Sequence, residues 1–307
     1  YEIYQCDWSS DVCSSDLSEK DIRKVATRLE QFRETFRLLF TGVNLVSPTP
    51  TNVVVFKSAA SFERFKPIRG DGKTDKFIAG YFQTGQDTNY IALSTEGEDD
   101  QTFRTIFHEY VHFIVDTNFG HTEVPIWFNE GLAEYYEMFR IEEDQRVKLG
   151  LVHPEHIQAL ARYGMRWSVP ELLQTSNTQL HNTDDLRRGL FYAESWALIH
   201  YLIQNGKGSA LNKYLAAVLA KKPGDVAFRD AFGEDYADMQ IELTRYVGQT
   251  SFPYKQFEFK QKLSFDADTR AAPLDQATAY TFLGDLLIHV QRENDAEPYL
   301  TQALAAD

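Results

Sequence analysis

The spacing of apolar and polar residues divides the chain into a mixed first third and a helical remainder. From Ser18 to Phe40, apolar residues recur at helical spacing (Ile22, Val25, Leu29, Phe32, Phe36, Leu39) with charges between them, which predicts an amphipathic helix ended by Pro48 and Pro50. The continuous β-branched run NVVVF at 52–56 reads as a buried strand. FIAGYF at 77–82 and NYIALS at 89–94 flank the turn-like TGQD and read as a hairpin. From Asp99 onward the period is helical over 101–116, 125–140, 154–163, 188–205, 208–220 and 234–247, with one strand-like stretch at 254–260. Strands first and helices afterwards predict an α+β architecture, with an α/β subdomain over 18–98 and a helical subdomain over 99–262.

Both ends depart from this pattern. In the tail, 275–307, the order Leu283, Gly284, Leu287, Ala296, Leu300, Ala303 resembles the helix-turn-helix of a tetratricopeptide repeat. One repeat cannot bury its own face, so the resemblance implies further repeats in a longer parent and protein partners bound through them. The other reading is a lone helical hairpin closing the domain. The leader YEIYQCDWSSDVCSSDL, 1–17, resembles translated sequencing-adaptor read-through and is set aside from the fold. Its alternative is a disordered terminus with Cys6 and Cys13 in a disulfide. These are the only cysteines, so cysteine usage does not reveal the redox compartment. The compartment stays open, with an extracytoplasmic one the working expectation.

Composition narrows the partners. The 307 residues are 43% hydrophobic and 25% charged, enough for a core without staples. Nowhere do about 18 apolar residues run uninterrupted, so no membrane span is expected. The formal charge is -14 with no Lys/Arg cluster, which argues against nucleic acid.

The candidate chemistry lies in FHEYVHFIVDTNFGHTEVPIWFNEGLAEYYE, 107–137. On a helical wheel Phe103, Ile106, Phe107, Tyr110, Val111, Phe113 and Ile114 share one side. His108 and His112 lie on the other, about 40° apart and one turn along, so both imidazoles can reach one ion. Glu109, about 100° round from His108, is placed to handle a proton and not to ligate, the role of a general base. A catalytic zinc needs a third protein ligand and an open position. Asp116 is two turns, about 12 Å, beyond His108 and cannot converge with both histidines. The third histidine of a metzincin would fall at Asn118, and the glycine of that motif at Val115. A peptide deformylase would bring a cysteine, and neither Cys6 nor Cys13 lies near the motif. Glu130 remains. Gly120 can close the first helix, Thr122 can cap the next and Pro125 can start it. That second helix would carry Glu130, Glu134 and Glu137 on a polar face and pack Trp127, Phe128, Leu132 and Tyr135 or Tyr136 inward, while Gly131 would let one helix approach another closely.

Through HEYVH at 108–112 and WFNEGLAEYYE at 127–137 the chain resembles the gluzincin metallopeptidases, the group of thermolysin and aminopeptidase N. From Ser18 to about Phe259 it is similar to bacterial peptidases of this group. The resemblance implies a zincin-like fold, one zinc ion per chain on His108, His112 and Glu130, Glu109 as catalytic base, and a peptide or protein substrate. The glycine-rich acidic segment with which aminopeptidases hold a free N-terminus is absent before His108, so an endopeptidase is implied. The linker from His112 to Glu130 is slightly short for these enzymes. The family also stabilises the oxyanion with a downstream Tyr or His. The resemblance puts Tyr192 there, the alternative being a core tyrosine, with His200 and His181 as weaker candidates. Glu134 or Asp116 could take the free N–H of a ligating imidazole. NYIALS, with Tyr90, Ile91 and Ala92, could be an edge strand that pairs with an extended substrate, or an ordinary part of the sheet. The rival to the enzyme is a catalytically idle, metal-stabilised scaffold that binds partners through its repeats.

Overall fold

A computed structural model describes the chain except residues 1–3, 9–10, 16, 48, 69–71, 75–77, 97–98, 121 and 266–269. In chain order the first elements are β1 (Tyr4–Trp8), β2 (Asp11–Ser15), α1 (Glu19–Leu39), β3 (Thr51–Phe56), α2 (Ala59–Phe62), β4 (Gly80–Gln83), β5 (Asn89–Ser94) and α3 (Asp99–Phe119). Next come α4 (Ile126–Glu137), β6 (Arg140–Glu142), β7 (Arg146–Leu149), α5 (Pro154–Tyr163), α6 (Val169–Gln174), α7 (Asn177–His181) and α8 (Asp185–Gln204). The last are α9 (Gly208–Leu219), α10 (Gly224–Phe232), α11 (Tyr236–Val247), β8 (Lys255–Glu258), β9 (Arg270–Pro273), α12 (Gln276–His289) and α13 (Glu293–Ala306). The architecture is α+β. Two compact units divide it, one of residues 1–118 with 261–307, the other of 119–260. The first takes in most of α3, which periodicity alone groups with the helices that follow.

In the first unit a six-stranded sheet runs β4-β5-β3-β2-β1-β9. β3 is parallel to β2 and β5, β4 and β5 form the expected antiparallel hairpin, and the leader supplies β1 and β2. All six residues of β3 are buried, as an uninterrupted apolar run requires. α1 is capped by Ser18, whose side chain accepts from the Asp21 N–H, and it buries Ile22, Val25, Leu29, Phe32 and Phe36. Pro50 does not end it. The backbone leaves the helical region at Phe40 and turns at Thr41 and Gly42, well ahead of that proline, while Pro48 lies outside the described residues.

The tail is a helical hairpin, α12 against α13. A Cβ at Gly284 would stand 2.6 Å from Leu300 Cδ2, so the two helices touch where the small residue predicts. Its inner face is spent on the same unit: Leu286, Leu287, Val290 and Ala296 join one apolar cluster with Val54, Phe56, Phe62, Phe65 and Tyr81.

The second unit is built around α8, buried almost continuously from Leu190 to Leu202, with α4, α5 and α11 packed on it. The three-stranded sheet β6-β7-β8 stands beside these helices. Its strands β6 and β7 come from the charged RIEEDQRVKL, which gives no strand signal. Glu143 and Asp144, at φ 54° and 57°, make the tight turn between them. The short α6 and α7 also escape periodicity, although each opens with a capping box, Ser168 with Glu171 and Ser176 with Gln179.

Candidate metal centre

α3 holds the two histidines as the wheel requires. Their ring centroids are 4.8 Å apart at 81°, so the rings fan from one face without stacking. Both are half-buried and Glu109 between them is 8% exposed. The opposite face anchors the helix: Phe107 stacks on Phe32 of α1 at 4.6 Å, and Phe113 meets Phe82 of β4 edge-on at 5.9 Å. Gly120, at φ 60°, follows the last residue of α3 as expected. Asn118 is committed to the backbone. Its amide donates to the carbonyls of Ile114 and Asn44, and its oxygen accepts from the Asn44 N–H. Asp116, two turns beyond His108, is half-buried.

α4 brings Glu130 into its second turn, half-buried. Thr122 does not cap it: its N–H donates to Phe119 O at 3.1 Å, and Pro125 stands at the cap with no side-chain bond. The expected polar face is also corrected. Glu134 and Glu137 are 9% and 7% exposed, Trp127, Phe128, Tyr135 and Tyr136 are buried, and Leu132 is only half-buried, so α4 is enclosed nearly all round. Gly131 serves an approach to α8. A Cβ there would lie 2.5 Å from the Ser195 carbonyl oxygen and 2.9 Å from Ile199 Cγ1.

Tyr192 lies on α8 three residues before Ser195, hence on the face turned to α4, and is half-buried. His200, further along α8, has no exposed surface. Its Nδ1 pairs with the Tyr246 hydroxyl at 2.7 Å and its Nε2 with Gly150 O at 2.9 Å, and burial pushes its pKa down to about 4. It is a structural histidine. His181 is exposed at the end of α7. Also on α8, Glu194 accepts from the Arg166 and Trp167 N–H groups while burial pushes its carboxyl up to about 7.

The edge-strand expectation fails. β5 is hydrogen-bonded to β3 on one side and β4 on the other, so Tyr90, Ile91 and Ala92 have no free ladder to offer, and none has exposed surface. The Tyr90 hydroxyl donates instead to Asp285 on α12 at 2.5 Å.

One cluster escaped the sequence. In HPEH, His153 caps α5 and His156 is its third residue. His156 Nε2 is 2.7 Å from Glu134 Oε2, and His153 Nε2 is 3.0 Å from Glu137 Oε1. The i,i+3 spacing was the available signal, but nothing local says that α5 returns to α4.

The sequence family described as "Protein of unknown function (DUF1570)" matches residues 102–225, a span that includes HEYVH, NEGLAE, HPEH and Tyr192. No curated protein matches the chain.

Proposed function

We propose that the chain is a zinc-dependent metallopeptidase of the gluzincin type, cleaving within peptide chains. The observation that carries this reading is the histidine pair of α3, whose ring centroids lie 4.8 Å apart on one face of the helix, joined in the sequence by NEGLAE, whose Glu130 is the carboxylate such a pair requires. Two imidazoles and one carboxylate are the ligands of a catalytic zinc with a position left open. Zinc held there would polarise the scissile carbonyl and acidify a solvent molecule. Glu109, adjacent to His108 and largely screened from bulk water, takes the proton from the attacking water and delivers it to the departing amine. Tyr192 is our candidate donor to the oxyanion. The reading also makes the fold zincin-like and the α12–α13 hairpin tetratricopeptide-like.

The test is Glu109→Gln. This variant should bind zinc as the parent does and lose hydrolysis of a peptide library. Chelator-sensitive cleavage at the parent rate would overturn the proposal.

A further inference from the structure

We propose that Glu134, Glu137, His153 and His156 form a second divalent-cation site, contained within residues 119–260. The ion would be a borderline transition metal such as zinc, which two imidazoles and two carboxylates suit.

Three of these donors, Glu134, His153 and His156, lie within reach of one ion, and Glu137 stands beside His153. His156 Nε2 stands 2.7 Å from Glu134 Oε2, and His153 Nε2 stands 3.5 Å from that same oxygen and 3.0 Å from Glu137 Oε1. Metal–donor bonds of about 2.0–2.2 Å at tetrahedral angles put neighbouring donors about 3.3–3.6 Å apart. One donor atom each from Glu134, His153 and His156 falls within 4.8 Å of the others. The two rings lie 3.6 Å apart and nearly parallel, with both Nε2 atoms near the one carboxylate.

Charge points the same way. Glu134 and Glu137 are buried one turn apart on α4, and two enclosed carboxylates require positive charge beside them. A divalent cation held there would neutralise both acids. Coordination through His153 Nε2 also requires the proton on Nδ1. Glu155 Oε2, 3.0 Å from Nδ1, is positioned to accept it, the kind of carboxylate support that ligating histidines use. With the proton on Nε2, Nδ1 is left to take the His156 N–H at a long 3.4 Å.

The site sits on two helices that both pack against α8. His153 is the N-cap of α5 and Pro154 its first residue, and Glu134 and Glu137 occupy the last turn of α4.

The experiment is zinc stoichiometry on the full chain, by elemental analysis after equilibrium dialysis, with circular dichroism to verify folding. His108→Ala combined with His112→Ala should keep one zinc, and adding His156→Gln, whose amide can still donate to Glu134, should remove it. His153→Asn preserves a capping side chain and should also lose that ion. A folded His108/His112 double variant with no bound zinc overturns the proposal and leaves a hydrogen-bonded His–Glu network. Parent and double variant each holding one ion, released by His156→Gln, uphold this site and remove the support for the catalytic one.

Discussion

The two histidine pairs of this chain differ by one residue in spacing and by much more in circumstance. His108 and His112 stand four apart inside α3, where the backbone is satisfied by the helix itself and the rings diverge at 81°. His153 and His156 stand three apart at the start of α5, where one ring doubles as the helix cap and the two stack at 16° against acids of another helix. Mid-helix, the main chain is satisfied by its own ladder and makes no demand on the ring. At a helix start an orphan N–H takes the Nδ1 lone pair, which a ring that coordinates through Nε2 must give up to a proton.

Breaking each pair separately should give unequal results. His108→Ala is expected to lower peptide hydrolysis on the order of 10³-fold or more, since several kcal/mol of charge stabilisation leave with the metal. His153→Asn should cost no more than about tenfold in the same assay, the lower end for a residue that acts through others. A larger loss for His153→Asn than for His108→Ala would reverse our assignment of roles. His200 sharpens the contrast from outside both pairs. Its pKa falls from 6.5 to about 4, so the folded state stays neutral while the unfolded chain takes up a proton below about 6.5. Its contribution is complete above that value and lost as pH falls toward 4, on the order of 3 kcal/mol. Urea denaturation across this window should show a smaller acid-side loss in His200→Gln than in the parent. The smallest effect concerns α4 itself. Gly131→Ala should destabilise by about 1–3 kcal/mol through overpacking, although alanine favours helix by about 1 kcal/mol, and should weaken zinc retention in parallel. A stabilised Gly131→Ala would show that α4 and α8 have room to separate.

The legible parts of the fold share one property: each was settled by a single element. The buried face of α1, the all-apolar β3 and the outward His108 and His112 each follow from one period along one segment. What escaped depended on pairing. NYIALS reads alike as an edge or an inner strand, and only the sheet order shows β5 enclosed. Glu134 and Glu137 sit at positions where a surface helix carries charge, and only the packing around α4 shows them buried. HPEH carries meaning only once the β6–β7 hairpin has returned the chain. Pro48 and Pro50 were credited with a helix end that the backbone makes earlier at Phe40.

The obstruction at residue 131 has a further consequence for anyone redesigning this protein. The atom standing 2.5 Å from where a methyl would go is a main-chain oxygen. Every amino acid carries that oxygen, so no replacement at position 195 can make room for a larger neighbour at 131, and a rescuing mutation would have to move a whole helix. Adjustments to the acid at 130 must therefore come from positions other than the one that follows it.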